Sequence, residues 1–456
     1  MNTLENTITT MGLLSKEAYN VGNFQIGAEI TANNKTYKVV NFADTANDFQ
    51  ALLLQDESGK FVMAFRGTEQ HSISDWLNDV SIGLANINEQ YNDAKEFLEK
   101  AIKDYGVTID NLTLTGHSLG GILTQQVGAT YGIKGYAFNH YGTDRLLSLP
   151  ESLSTGIASN ILLEKVMSAV GLTKANAQWA YEYIYNISYQ DEGLLNGDIL
   201  SNFATELSSN HLGHFIPILG KNVGFGEGHY METLNKAISQ YNDIVQKFDN
   251  SCRYEDITQM YLSTAIIHGS GYKKVRDEFK KLGILNENGA NDKIANNSLH
   301  LEVITKDTDA TSIFSGSNLS TPALYALVNL NPFIVSNINS NAYSELERYK
   351  DEYNKNYVSD KAKMFKALMD TPKVGSYYDD YETGKKISYY TSVTDSDSTD
   401  EYNLTDTAYI FGTNKNDIVT ASVGKANRIY TLAGDYTIKL TGGSNYKFIN
   451  LNLLVA

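Results

Sequence analysis

A serine lies between two glycines in Gly116-His117-Ser118-Leu119-Gly120. The apolar run Leu112-Thr113-Leu114-Thr115 precedes it, and a helical pattern from Ile122 to Gly132 follows. Strand, G-x-S-x-G and helix together form the pattern of a nucleophile elbow. The turn is so tight that the serine must take a strained backbone, which projects its hydroxyl at the positive end of the helix. A side chain at Gly116 or Gly120 would collide with its neighbours. The Leu119 amide then points to where an oxyanion develops.

A serine hydroxyl needs a base, and the base needs an orienting acid. After the apolar run Ile187-Ser188-Tyr189 come three carboxylates, Asp191, Glu192 and Asp198. Beyond them lie His211, His214 and His229, the last within Gly226-Glu227-Gly228-His229-Tyr230. His140 precedes every candidate acid and reads as a loop-wall residue. His117 reads as a packing residue of the elbow, and His268 and His300 fall outside the catalytic half.

These groups need a scaffold. Phe61–Phe65, Leu112–Thr115, Tyr136–Phe138 and Ile187–Tyr189 read as buried strands. Helical spacing from about Gln90 to Tyr105, and again after Ser118, alternates with them. That order predicts a parallel sheet with helical crossovers. Residues 153–185 read as a helical insertion, a candidate lid. Tyr254–Leu282, Ala323–Leu330 and Ala342–Met369 also read as helical. Val393–Glu401 is an acidic linker candidate, and residues 405–456 are rich in Gly, Asn, Thr and β-branched residues.

Composition narrows the function classes. Of 456 residues, 42% are hydrophobic and 20% charged, which is globular composition. The formal net charge of −16 opposes a polyanion-binding role, so no nucleic-acid partner is expected. One cysteine, Cys252, allows neither an internal disulfide nor a cysteine zinc site. No Lys or Arg occurs before Lys16, and no apolar run approaches the ~18 residues of a membrane span. The expectation is a soluble protein without a Sec signal.

The elbow has company in Ala64-Phe65-Arg66-Gly67-Thr68. Together the two motifs resemble the class 3 lipase branch of the α/β-hydrolases. That resemblance implies an α/β-hydrolase core in which Thr68 gives the second oxyanion amide, beside Leu119. Asp75-Trp76 and Asp79 resemble the Asp-Trp…Asp segment that follows in the family. Asn196-Gly197-Asp198-Ile199-Leu200 resembles the segment carrying the family's acid, which favours Asp198 and leaves Asp191 as the alternative. The Gly-rich loop before a helix likewise favours His229 as base. One segment departs from the pattern: Phe138-Asn139-His140-Tyr141-Gly142 stands where family members often read Phe-Gly-Ala-Pro-Arg. That sets the chain apart from the fungal-type lipases.

Asn329–Phe333, Ser359–Met364 and Tyr377–Asp380 resemble the stretch before the repeats of bacterial RTX-type lipases. Phe411–Val419, Leu432–Asp435 and Gly442–Asn445 resemble decayed nonapeptide repeats. The resemblance implies candidate calcium ligands at Asp417 and Asp435, and a C-terminal signal read by type I secretion machinery. The expected organisation is a hydrolase domain at 1–250, a mainly helical region at 251–400 and a small β region at 401–456. The expected activity is that of a secreted serine ester hydrolase, a lipase or phospholipase A1 acting on lipid or phospholipid at a membrane or micelle surface. Its chemistry needs no cofactor. A soluble short-chain esterase and a non-catalytic RTX-type adhesin are the alternatives.

Overall fold

The structure is a computed structural model and describes residues 3–46, 48–67, 87–139, 182–191, 213–221, 223, 228, 230–315, 319–369, 377–387, 407–421 and 426–439. The chain divides into two compact units, Met1–Gln246 with Arg253–Thr258, and Lys247–Cys252 with Gln259–Ala456.

The first unit is built on an eight-stranded sheet whose spatial order follows the chain. Strands β1 (Glu29–Ala32), β2 (Lys35–Asp44), β3 (Gln50–Asp56) and β4 (Phe61–Phe65) form an antiparallel meander. Strands β5 (Leu112–His117), β6 (Gly135–Phe138), β7 (Ile184–Asp191) and β8 (His214–Gly220) continue it in parallel from β4. The four strands expected to form a parallel sheet, β4 to β7, do pair in parallel, and the antiparallel meander of β1 to β3 extends that sheet on one side. A two-residue turn at Asn33-Asn34, with φ of 48° and 62°, starts the meander. Both values suit the hairpin turn that matches strand twist. The predicted helical insertion also ends earlier than 185, because β7 begins at Ile184. The rest of that insertion, through 181, lies outside the described residues.

Helices cover both faces of this sheet. On one face α2 (Ile87–Tyr105) and α3 (Leu119–Tyr131) bury Tyr91, Phe97, Leu98, Leu123 and Val127 against Phe61, Met63, Phe65, Leu112 and Leu114. Each large side chain so buried contributes roughly 1.5–3 kcal/mol. On the other face lies α1 (Thr3–Glu17), where Thr115 Oγ1 donates to the Met11 carbonyl at 3.0 Å. α4 (Met231–Val245) is joined to α1 by Lys16–Glu232 at 2.8 Å and by Asn242 donating to Thr9 at 2.9 Å. The result is a mixed α/β, α/β-hydrolase-like arrangement.

Helix α5 (Tyr254–His268) crosses the division in sequence. The second unit continues with α6 (Tyr272–Lys281), α7 (Thr321–Val328) and α8 (Lys355–Met369). Its strands include the hairpin β9 (Leu285–Asn286) with β10 (Gly289–Ala290), and the pair β11 (His300–Val303) with β12 (Phe333–Ser336). The long helical run expected at 342–369 is broken, since only Lys355–Met369 forms a sustained helix.

Towards the C-terminus β13 (Tyr377–Asp380) is flanked antiparallel by β14 (Lys386–Ile387) and pairs in parallel with β15 (Thr407–Phe411). β16 (Asp417–Thr420), β17 (Ala426–Tyr430) and β18 (Tyr436–Lys439) complete two stacked coils. β15 pairs with β17 and β16 with β18, each partner lying 19 residues further along the chain. Ile410, Val419, Ala421 and Ile429 fill the space between them. Lys361 of α8 reaches Asp380 at 2.6 Å, with both side chains fully buried.

Among the described residues, no helix is long and apolar enough to cross a membrane.

Candidate active site

Ser118 follows β5 and caps α3 with φ 55° and ψ −121°, a conformation that costs an L-residue about 1–3 kcal/mol. Its amide donates to the Phe138 carbonyl at 3.0 Å, and its own carbonyl accepts from Gly121 at 3.0 Å. The strained turn is thus tied to β6 on one side and to the first helical turn on the other. Close contacts explain the glycines. A Cβ on Gly116 would lie 2.2 Å from the Gly120 carbonyl oxygen, and one on Gly120 would lie 2.3 Å from the Phe65 carbonyl oxygen. Backbone cannot yield to either.

The end of β4 closes on the same turn. A Cβ on Gly67 would lie 2.5 Å from the His117 carbonyl oxygen and 2.9 Å from Ser118 Cβ. Arg66, buried beside it, pairs with Asp48 at 2.5 Å. Thr68, the next residue in the chain, lies outside the described residues. Leu119 opens α3, in the turn whose amides have no acceptor within the helix. His117 is buried, and its Nδ1 is 2.7 Å from the Tyr19 hydroxyl, so it serves the elbow's packing.

The histidine candidates separate by sheet edge. Ser118 follows the carboxyl end of β5, whereas His214 opens β8 at its amino end, opposite Tyr185. His214 Nε2 lies 3.1 Å from Glu255, whose hydrogen bond raises the imidazole pKa. It is therefore held at the edge away from the serine. His211, His140, His229 and Asp198 lie outside the described residues, as do Asp75, Trp76 and Asp79. The two neighbours of His229 are described: Gly228 is tied to Asn139, and Tyr230 caps α4. Asp191 is the last residue of β7, opposite Gly220, at the carboxyl edge. His268 and His300 belong to the second unit, where they bond the Leu330 carbonyl and Asp249.

Sequence reasoning missed Asn139, which has φ 42° and bridges β6, β7 and Gly228. Its signal was an asparagine where the resembling sequences often carry glycine.

The two calcium candidates lie at turns of the coils. Asp417 turns its carboxylate inward, accepting the Thr413 N–H at 2.7 Å and the Thr413 hydroxyl at 3.0 Å. Asp435 donates its own N–H to Asn416 Oδ1 at 3.0 Å, and Ala433 donates to Asn414 Oδ1 at 3.3 Å. Asparagine side chains thus bond one coil to the next. Among the described residues no cluster of three or more His, Cys, Asp or Glu could hold a metal ion.

A family model described as "Phospholipase-like: Tle-like phospholipase domain" matches residues 11–148, a stretch that includes the elbow. The extracellular phospholipase A1 of Serratia liquefaciens is 30% identical over 124 residues, covering 25% of this chain and 37% of that protein. Both likenesses are to phospholipases. The aligned part is little more than a third of that relative's length. Among solved structures, a ferulic acid esterase is matched at 20% identity over 32% of this chain and 55% of that one, with a TM-score of 0.19. A capsule O-acetyltransferase of Neisseria meningitidis serogroup A is matched at 13% identity over 49% of this chain and 97% of that one, with a TM-score of 0.23.

Proposed function

We propose that the first unit is a serine carboxylic-ester hydrolase acting on lipids, as a phospholipase A1 or a lipase. The observation that carries this reading is the backbone of Ser118, strained at φ 55° where β5 meets α3. Such strain persists only where its surroundings over-determine it, and it clusters at reactive groups. In this mechanism Ser118 Oγ attacks the acyl carbonyl while His229 takes its proton. The amides of Leu119 and Thr68 hold the oxyanion, worth roughly 3–4 kcal/mol per donor. His229 then protonates the leaving alcohol, and water releases the acyl group by the reverse route. Asp198 orients the imidazole, with Asp191 as the alternative acid. The route uses side chains and backbone amides alone, without a metal or cofactor.

The substrate class is drawn from the phospholipase likenesses, and a membrane or micelle surface is its natural setting. Export of the chain, through a C-terminal signal and type I machinery, belongs to the same reading. We further propose that the stacked coils hold without calcium. The carboxylate of Asp417 already binds its own turn, and Asn414 and Asn416 supply the links between coils.

Labelling with a fluorophosphonate tests the central step. Wild type should react at Ser118, and Ser118→Ala should lose both labelling and ester hydrolysis while keeping its fold. Turnover of that variant within tenfold of wild type would end the serine-hydrolase reading.

A further inference from the structure

The carboxyl edge of β6 holds a side chain that the proposed mechanism leaves unused. Asn139 follows Phe138, whose carbonyl accepts the Ser118 amide, so it stands next to the elbow. It is buried, and its backbone is left-handed at φ 42°. Glycine takes that conformation without strain, and asparagine is among the few side chains that tolerate it.

Asparagine adds what glycine cannot. Its backbone N–H, which glycine would also offer, donates to the Ile187 carbonyl at 2.9 Å, whereas its side-chain Oδ1 accepts the Tyr189 N–H at 2.8 Å. Its Nδ2 donates to the Gly228 carbonyl at 3.0 Å. One amide side chain therefore ties Gly228, between β8 and α4 in the chain, to the sheet edge that carries Ser118. Tyr189 completes the seat. Its hydroxyl donates to the Lys221 carbonyl at 2.5 Å, and its ring lies where a Cβ on Gly220 or Gly228 would come within 2.4 or 2.6 Å.

The residue after Gly228 in the sequence is His229, joined to it by a single peptide unit. A base must come within ~2.6–3.2 Å of the hydroxyl it deprotonates. A histidine preceded by glycines has much backbone freedom to lose before it can do so. We infer that Asn139 is the positioning residue for the catalytic base, acting through the Gly228 carbonyl. This inference rests on the Ser118–His229 reading above.

Two variants divide the roles of the side chain. Asn139→Gly keeps the left-handed backbone and removes the side-chain bonds to Tyr189 and Gly228. Asn139→Asp keeps an acceptor for the Tyr189 amide and sets a carboxylate, not a donor, against the Gly228 carbonyl. Each is compared with His229→Ala, and Asn139→Gly with the double variant, on a soluble p-nitrophenyl ester. Rates are expressed per mole of folded protein, measured by circular dichroism and thermal melting, so that loss of folded protein does not count. Both Asn139 variants should lose about 10–100-fold in kcat, the scale of a 1 Å misplacement, with KM nearly unchanged. The acid limb of their pH profile should shift, because the imidazole's surroundings change. The double variant should be no slower than His229→Ala, since both changes act through one group.

Wild-type kcat and an unmoved acid limb in both Asn139 variants, with His229→Ala inactive, would overturn the positioning role alone. Full activity in His229→Ala would overturn the base assignment, and the inference with it.

Discussion

The contacts at Ser118 are backbone to backbone, which makes the elbow intolerant of change. Gly120→Ala would drive a Cβ onto the Phe65 carbonyl oxygen at 2.3 Å. We expect it to cost about 1–3 kcal/mol or more, and to remove activity even where the protein folds. Thermal melting beside turnover checks this, and an unchanged melting point with normal turnover would contradict the packing. The histidines offer a sharper contrast. His229→Ala should lose on the order of 10³-fold or more in kcat, whereas His214→Ala should stay near wild type, because His214 is held by Glu255 at the far sheet edge. The reverse order would mean that the base lies elsewhere. Ser118 was legible because its pattern is local: strand, five residues and helix adjoin in sequence. Asn139 was not, since its partners Tyr189 and Gly228 lie 50 and 89 residues away and no spacing announces them.

At the scale of elements, β4, β5 and β6 were legible because they are continuous apolar runs flanked by turns. The meander before them was missed. β2 mixes Lys35, Lys38 and Asn41 with apolar residues, so its burial is decided by neighbours and not by its own composition. The helical pattern from Tyr254 to Leu282 was read as one region, yet it divides where Gly269 takes φ 79°. Next to that break, burial pushes the His268 imidazole pKa down to about 4, and the ring bonds the Leu330 carbonyl at 2.9 Å. Unfolded, the same imidazole protonates near 6.5. As pH falls the unfolded state takes up the proton first, so stability is lost between about pH 6.5 and 4 and is fully present above. The loss is on the order of 3 kcal/mol at most, and His268→Gln should flatten that part of the stability curve. An equal slope in the variant would move the titrating group elsewhere. In the coils, Asn416→Ala should cost about 1 kcal/mol, the worth of one hydrogen bond. Proteolysis across 407–439 should be the same in EDTA and in millimolar calcium. Calcium-dependent protection there would restore a metal to the coils.

For the whole molecule, the residues that define the reading come from well-separated stretches of one chain. In the proposed mechanism the ends of β4 and β5 supply the oxyanion loop and the nucleophile, the chain after β7 supplies the acid, and the connection into α4 supplies the base. Parallel pairing from β4 through β8 brings the carboxyl ends of these strands to one edge. The elbow and the Phe-Arg-Gly-Thr motif carried the family resemblance, and the phospholipase match over 11–148 spans both. Choice of acyl position and headgroup depends on pocket shape, which short motifs do not encode. The most direct measurement is product analysis by mass spectrometry on a phospholipid with different acyl chains at its two positions, for wild type and Ser118→Ala side by side. The account predicts release of a fatty acid by wild type, with the acyl group passing through Ser118, and none by the variant. Equal release by both proteins, or cleavage only at a phosphodiester bond, would contradict it.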